Sequence, residues 1–299
     1  MQSSLRKKLS TYKYVLIMLP GLIVWFVLSI WPHLEVFPQA FYKWNGYSPN
    51  KVFVGWQNFE TFYRSSAFKD GLLNTVLYVL FLFVIQTVLS VFLAVVLKRN
   101  TRQNRFFRTF FFLPLVFSSV MVGLTWGYMF DPNLGMLNQI FSALGIKSLE
   151  SFNWLGEPVR AIFCIVMVHI WANIGYPLTI LTAALQTIPE DLYEVSEIEG
   201  ATSMQQFRKV TLPLLMPALL RITLLTVVTG ALAVDYILIL GSSVGSANEF
   251  DTWAVKIYQG LLGSNLGLPS AIGVFLGAIL FIVFLIQYVV TKKVEDSIH

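Results

Sequence analysis

This chain of 299 residues is 56% hydrophobic and only 12% charged, and its mean hydropathy is +0.67. Soluble domains are about 45–50% apolar, so folding alone would leave too much of this apolar surface in water. The composition therefore excludes the soluble classes and indicates an all-α integral membrane protein. The net charge of +5 comes from lysines and arginines near the ends of apolar segments, so it does not point to nucleic acid.

Six segments are long and apolar enough to be transmembrane helices, since about 20 apolar residues cross the hydrocarbon core of a bilayer. In chain order they are residues 14–31, 71–97, 109–130, 161–188, 212–240 and 269–291. The first four contain no Asp, Glu, Lys or Arg, whereas the fifth contains Arg221 and Asp235. Pro269 suits the first turn of the sixth, where a missing backbone N–H costs nothing.

The distribution of basic residues predicts that both termini are cytoplasmic. With that orientation, the inside segments hold twice as many of the 21 lysines and arginines as the outside segments. Residues 1–13 are then a basic cytoplasmic tail, residues 14–291 a six-helix transmembrane domain, and residues 292–299 a second cytoplasmic tail. No small-residue cleavage site follows the first apolar segment, so we expect a retained span rather than a secretory signal.

Residues 187–211, here called the acidic cassette, interrupt the apolar pattern on the predicted cytoplasmic side. Thr187 and Glu190 have the spacing of a capping box and predict a short helix over about 188–199. Gly200 should end it, and Ser203 with Gln206 predicts a second capping box. The first helix has five acids and no base, so anionic lipids would repel it.

This charge pattern leaves two interpretations of the acidic cassette. A solvated cytoplasmic loop would account for the acids, which are Glu190, Asp191, Glu194, Glu197 and Glu199. It would leave Tyr193, Val195 and Ile198 without burial. A helix that docks on a partner protein accounts for both groups of side chains.

The cassette resembles the EAA loop of the permeases of ABC importers, which has the pattern E-A-A-x3-G-x9-I-x-L-P. The residues that align with this pattern are Glu194, Val195, Ser196, Gly200, Ala201, Val210, Leu212 and Pro213. Val195, Ser196 and Val210 depart from the usual residues by small changes. The stretches FVGWQNF at 53–59, FRTFFFLPLV at 107–116 and NWLG at 153–156 further resemble binding-protein-dependent sugar permeases.

The resemblance implies a type I ABC importer permease in a prokaryotic cell membrane, of the kind found in maltose, multiple-sugar and glycerol-phosphate systems. Within the family, it is similar to the maltose system's larger permease without that subunit's added external domain. The implied partners are a second homologous permease, an ATPase dimer that binds ATP and Mg²⁺, an extracytoplasmic solute-binding protein and membrane lipid. Glu194, Ser196, Gly200, Ala201, Leu212 and Pro213 would couple ATPase closure to alternating access.

The chain itself lacks the motifs of an ATPase or an intramembrane enzyme. It contains no G-x-x-x-x-G-K-[ST], no HExxH and no cysteine–histidine cluster, and its one cysteine, Cys164, cannot form an internal disulfide. We therefore expect a translocation subunit that binds no cofactor or metal and depends on a separate ATPase. An ion-coupled secondary transporter and a membrane-embedded enzyme or scaffold are the alternatives.

Polar residues inside the predicted spans are the candidates for substrate contact, because they are costly in lipid unless they face a cavity or a partner. They are Asn173, Tyr176, Asp235 and Tyr236. Asp235 would accept a hydrogen bond from a sugar hydroxyl or pair with a polar group of a neighbouring subunit. Tyr176 lies beside Gly175 and Pro177, which predict a kink in the fourth span; it is either a sugar contact or an interfacial aromatic. The external segment 241–268 is long enough to contact a binding protein.

Overall fold

The structure, a computed structural model, describes residues 16–242 and 250–298, and these residues are mainly helical. The helices are α1 Leu16–Gln39, α2 Gln57–Arg64, α3 Ser66–Val96, α4 Arg102–Phe112, α5 Ser119–Met129, α6 Met136–Ala143, α7 Pro158–Asn173, α8 Gly175–Gln186, α9 Asp191–Ile198, α10 Ser203–Ala231, α11 Asp235–Ser242, α12 Trp253–Leu261 and α13 Gly267–Ile298. The strands β1 Tyr42–Lys43 and β2 Val52–Phe53 form an antiparallel ladder in which Tyr42 faces Phe53.

Long apolar helices confirm the membrane class. Four of them, α1, α3, α10 and α13, are each long and apolar enough to cross a bilayer. Two further helix pairs are long and apolar enough only when each pair is taken together: residues 102–116 with α5, bent by 96°, and α7 with α8, bent by 53°. Many large apolar side chains along these helices are exposed, as lipid or a protein partner requires.

The third and fifth predicted spans were wrong as single continuous helices. In the third, a 3-10 turn at Leu113–Val116 contains Pro114, whose ring and missing N–H prevent a regular α-helix there. The fourth bends at Ile174, as the neighbouring glycine and proline predicted. The fifth ends at Ala231, and a separate helix starts at Asp235.

The bounds of the first and last spans also differ from the prediction. Helix α1 continues past Trp31 to Gln39, through a π-helical segment at Phe26–Ile30. Helix α13 begins at Gly267 and continues beyond Thr291 to Ile298. Residues 1–15, which include the predicted basic tail 1–13, residues 243–249 of the external segment and His299 lie outside the described residues.

The described residues divide into two compact units, of which the first comprises residues 16–64 and 259–276. Its interior contains Ala40, Phe59 and Ala271. The side-chain amide of Asn58 donates to the carbonyls of Ala40 at 2.8 Å and Tyr42 at 3.0 Å, which fixes the segment before β1 against α2. The FVGWQNF stretch runs from the last residue of β2 into the first turn of α2.

The second unit comprises residues 65–258 and 277–298 and holds two apolar clusters. The first cluster joins α3, α5, α7 and α11 around buried residues such as Tyr78, Ile165 and Leu240. The second joins the C-terminal part of α3 to α8 and α10, through residues that include Leu97, Leu181 and Leu215. The acidic cassette packs on the second cluster, because Ile188 is one of its buried residues and Tyr193 packs against it.

Gly175 allows the bent fourth span to approach the third. A Cβ atom at this position would lie 2.6 Å from the Cα of Phe112 and 2.8 Å from the carbonyl oxygen of Phe111. Both neighbours are backbone atoms, so they cannot move aside as a flexible side chain would. Only glycine fits where α8 begins.

We expect Gly175→Ala to lower the apparent melting temperature of the detergent-purified protein by several degrees, because overpacking costs about 1–3 kcal/mol. Gly277→Ala is the matched control: it also lies in a long helix, and nothing lies within 4 Å of its added Cβ. Fluorescence-detected gel filtration after heating measures both variants. Equal melting of the two would contradict the close backbone contact.

Candidate functional site

Helix α9 carries the centre of the acidic cassette, and one of its faces is fixed to the protein. The Tyr193 hydroxyl lies 3.0 Å from the hydroxyl of Thr211, in α10. The Lys98 ammonium lies 3.8 Å from the centroid of the Tyr193 ring, a cation–π contact that attaches the same side chain to the end of α3. A solvated loop would have left Tyr193 without burial, whereas the structure places it half-buried as the anchor of α9.

The opposite face of α9 is open. Val195 is 54% exposed and Ile198 87% exposed, and the Glu194 side chain is also exposed. Apolar side chains among acids suit neither water alone nor an anionic lipid surface. This face therefore combines exposed apolar and acidic side chains.

Gly200 ends α9 as predicted, with φ of +78° in the left-handed region. The Gly200 N–H donates to the Glu197 carbonyl and the Ala201 N–H to the Ser196 carbonyl, both at 2.9 Å. These two bonds form a Schellman motif, which satisfies carbonyls that the end of a helix leaves unpaired. The Ser196 hydroxyl donates to the Tyr193 carbonyl at 2.7 Å, so Ser196 lies on the anchored side.

Neither capping box forms at the predicted residues. The Thr187 hydroxyl donates to the Ala184 carbonyl at the end of α8, and α9 begins only at Asp191 without a side-chain cap. The second box forms one residue earlier than predicted: Thr202 accepts from the Gln205 N–H, and the Gln205 side chain accepts from the Thr202 N–H at 2.8 Å. Threonine and glutamine have the same capping chemistry as the predicted pair.

Leu212 and Pro213 lie at a π-helical segment, Phe207–Thr211, within α10. The Leu212 N–H donates to the Phe207 carbonyl, one residue further back than in an α-helix. Pro213 has no N–H, and its ring would clash with the carbonyl four residues earlier, so the wider turn accommodates it. The Leu-Pro pair therefore shapes the joint between the acidic cassette and the span.

The breaks in the spans bring two of the predicted substrate residues together. The Asn173 side-chain amide, at the end of α7, donates to the Tyr236 hydroxyl at 3.2 Å and to the His169 carbonyl at 2.9 Å. Tyr236 packs against the His169 ring with centroids 5.1 Å apart. His169 Nδ1 lies 2.9 Å from the Tyr78 hydroxyl, which extends the polar cluster to α3.

Asp235 and Tyr176 lie elsewhere on the second unit. Asp235 was predicted within the fifth span, but it is the first residue of α11, where the partial positive charge of a helix N-terminus favours a carboxylate. Its carboxylate accepts a short hydrogen bond from Ser119, the first residue of α5. Tyr176 is 48% exposed in the first turn of α8.

Sequence reasoning missed Ser119, His169 and Lys98 as partners of the site residues. The pair Ser118-Ser119 after Pro114, inside an apolar segment, was the available signal for a helix break with polar contacts. Nothing in the sequence linked Lys98 to Tyr193, because they are distant along the chain. Among the described residues no group of His, Cys, Asp and Glu is arranged to hold a metal ion.

The Ser119–Asp235 contact predicts a same-chain structural role for Asp235. Asp235→Ala and Ser119→Ala should each lower the melting temperature of the purified protein, and the double variant should be less destabilised than their sum, by about 1 kcal/mol. Asp235→Asn retains an acceptor for the serine hydroxyl, so its melting temperature should lie between those of the unsubstituted protein and Asp235→Ala. Additive effects, with substrate uptake reduced only by the Asp235 variants, would instead favour substrate contact.

Comparison with known proteins agrees with this architecture. Residues 86–296 match the family described as "Binding-protein-dependent transport system inner membrane component". The trehalose/maltose transport system permease protein MalF of Thermococcus litoralis is 31% identical, over 91% of each chain. The multiple sugar-binding transport system permease protein MsmF of Streptococcus mutans is also 31% identical, over 98% of this chain and 99% of its own.

The fold also matches a solved structure. A chain of a bacterial ABC transporter involved in the import of the acidic polysaccharide alginate superimposes with a TM-score of 0.81, at 21% identity, over 97% of this chain and 99% of that chain. At that identity the likeness shows the fold alone. The family match covers most of the residues, and two relatives align over nearly the whole chain. The chain belongs to the family of inner-membrane components of binding-protein-dependent transport systems, the permease subunits of ABC transporters.

Proposed function

We propose that this permease subunit belongs to an ATP-driven importer of a sugar and that α9 is its coupling helix. The observation that carries the proposal is the exposed apolar and acidic face of α9, held rigidly by Tyr193 on one side and the Gly200 turn on the other. A docking helix needs both features, because a flexible surface would absorb the motion of its partner. Glu194 supplies the polar contact at the docking surface.

The contacts of Tyr193 connect α9 to two transmembrane helices, so a movement of α9 can be passed on to them. Tyr193 contacts Thr211, in the π-helical segment of the long helix α10, and Lys98, just after α3. A partner that displaces α9 therefore displaces the ends of two spans. Leu212 and Pro213, at the π-helical segment, form the joint through which α10 follows.

The partners follow from this arrangement. A dimer of ATPase subunits binds ATP and Mg²⁺ and contacts α9 in the cytoplasm. With α9 on that side, six spans place both termini of this chain on the cytoplasmic side as well. A second homologous permease completes the translocation path, and an extracytoplasmic binding protein delivers the substrate. The external segment around α12 is the expected contact for that protein.

Sugar as the substrate class is supported by the relatives and by the chemistry of the spans. MalF and MsmF carry trehalose/maltose and multiple-sugar names, and both match nearly the whole chain. Asn173 and Tyr236 supply amide and hydroxyl groups, and Tyr176 an exposed aromatic ring. Such groups suit a ligand with hydroxyls and apolar ring faces.

Reconstitution tests the proposal against its rivals. The permease, its partner permease, the ATPase and the binding protein are placed in proteoliposomes, and uptake of labelled maltose and trehalose is measured with and without ATP. ATP-dependent uptake is expected. Uptake that needs a proton or sodium gradient and no ATPase would favour a secondary transporter. A lack of uptake, with every partner present and every labelled sugar of a broad panel tried, would favour a membrane enzyme or scaffold.

Gly200→Asn separates docking from folding. Asparagine tolerates positive φ, and nothing lies within 4 Å of a Cβ added at Gly200, so the protein itself should fold and melt normally. We expect ATPase binding, or substrate-stimulated ATP hydrolysis, to fall at least tenfold because the added side chain stands where the partner seats.

Gly145→Asn is the matched control, because Gly145 has φ of +77° and the same open surroundings. It should leave both activities unchanged. Normal ATPase binding and stimulation in Gly200→Asn would contradict the assignment of α9 as the coupling helix.

Glu194→Ala tests the polar contact. If the carboxylate pairs with the ATPase, its loss should weaken co-purification of the ATPase by about tenfold or more, since removing one partner of an interfacial charge pair costs about 2–5 kcal/mol where the pair is buried. Glu150→Ala removes an exposed acid from the opposite, external side in the proposed orientation and serves as control. Equal co-purification in both variants would assign the acids of α9 to solvation.

A further inference from the structure

A groove of about 570 Å³ lies between α3 and the N-terminal part of α10. On the α3 side its lining includes Val88, Phe92 and Val95, which are three or four residues apart and so share one face of the helix. On the α10 side it includes Met204 and Phe207. The volume is within the range of ligand pockets, roughly 300–1,000 Å³, so the groove can hold a bound molecule.

The surface that this groove offers to a ligand is apolar. Among the described residues that line it, only Thr87 and Ser203 carry polar side chains. The Thr87 hydroxyl oxygen is buried inside the protein, so it offers no hydrogen bond to a molecule in the groove. Sugars and water need such bonds, whereas hydrocarbon does not. The groove therefore suits an apolar chain.

The face of α3 that carries the groove is exposed and apolar along a whole span. Leu73, Leu80, Val84, Val88 and Phe92 lie on this face at helical spacing, and all are exposed. They extend over about 30 Å of helix, which is the thickness of the hydrocarbon core of a bilayer. A water-filled path for a polar solute would need polar side chains, so this face meets lipid or an apolar surface of another protein.

The end of the groove at Met204 is basic. Arg208 and Lys209 follow Met204 by about one helical turn, and both side chains are exposed. Neither forms an ion pair with a residue in the part of the chain that the structure describes. Ser203 lines the groove at the same end and adds a hydroxyl donor. Positive side chains beside an apolar groove complement a ligand that has an anionic head and an apolar chain.

We propose that an anionic phospholipid binds in this groove, with one acyl chain between α3 and α10 and its phosphate at Arg208 and Lys209. Such a lipid carries the apolar chain and the negative charge in one molecule, whereas a helix of another subunit would have to bring its own acids to the same end. The acids of α9 would repel the lipid, but none of them lines the groove. This site goes beyond the proposed transport function, because it needs neither ATP nor a sugar.

The lipid site lies beside the anchor of α9. Phe207 and Thr211 belong to the same π-helical segment, and the Thr211 hydroxyl contacts Tyr193. Val95 lies in the last turn of α3, just before Lys98, which contacts the Tyr193 ring. A bound lipid therefore packs between the two helices that Tyr193 connects.

Photo-crosslinking locates the lipid. The purified full-length chain is placed in phosphatidylcholine vesicles with a small fraction of phosphatidylglycerol that carries a diazirine in its acyl chain, and crosslinked peptides are identified by mass spectrometry. Crosslinks are expected in residues 88–95 and 204–219. Unlabelled phosphatidylglycerol should compete several-fold better than added phosphatidylcholine. The soluble phosphate sn-glycerol 3-phosphate has no acyl chain and should not compete.

Substitutions test the two halves of the site separately. Arg208→Gln and Lys209→Gln should each weaken phosphatidylglycerol binding about fivefold at low salt. Lys292→Gln and Lys293→Gln remove two adjacent exposed bases near the end of α13 and should leave the groove crosslinks unchanged. Val88→Trp puts an indole ring into the groove and should reduce crosslinking several-fold. Val76→Trp, at an exposed valine of α3 outside the groove, is its matched control.

Three results would each overturn the proposal. Equal competition by phosphatidylcholine would show ordinary surrounding lipid, without selection for charge. Unchanged phosphatidylglycerol binding in both Arg208→Gln and Lys209→Gln would remove the basic end from the site. Loss of the lipid crosslinks when the whole importer is assembled, with crosslinks to the second permease in their place, would show that a protein covers the groove.

Discussion

The constraint on which this structure depends is that backbone polar groups inside an apolar layer must be paired within the protein. At the breaks in the spans, backbone N–H groups are paired with carbonyls only a few residues away. The Phe117 N–H donates to the Pro114 carbonyl, the Ala233 N–H to the Gly230 carbonyl, and the Leu238 N–H to the Val234 carbonyl. Because the chain turns without leaving these groups unpaired, broken spans are stable and place side chains where continuous helices could not.

The same constraint explains why polar residues gather at the breaks. Asn173 ends α7 and reaches Tyr236 just after the break before α11, while Asp235 meets Ser119 at the starts of α11 and α5. Each hydrogen bond joins one break to another, so the second unit is connected by polar contacts at the level where its helices change direction. At the bend of the fourth span, Gly175 lets the start of α8 lie close to the backbone of Phe111 and Phe112. A moving span would therefore carry its neighbours with it.

Sequence patterns predicted the membrane class, the positions of the apolar segments and the Gly200 turn, because these depend on composition, length and one residue's backbone freedom. They failed where the outcome depends on distant residues. The Thr187 hydroxyl donates to a carbonyl at the end of α8 and does not cap α9. Tyr193 is anchored by Lys98 and Thr211, and no local spacing in the sequence reveals these contacts. Pro114 and Pro217 look alike in sequence, but the chain breaks beside Pro114, whereas Pro217 lies inside α10.

The acidic cassette and the polar cluster at the span breaks differ in how their structure is specified. Gly200 acts through backbone geometry, and the two Schellman bonds would form around any neighbours that allow a left-handed residue. The polar cluster depends on side chains that are distant along the chain, since Asn173 donates to Tyr236 and His169 lies beside the Tyr78 hydroxyl. A backbone signature can be recognised from residue spacing. Contacts between distant residues leave no such spacing in the sequence, so the cluster appears only once α3, α7 and α11 are packed together.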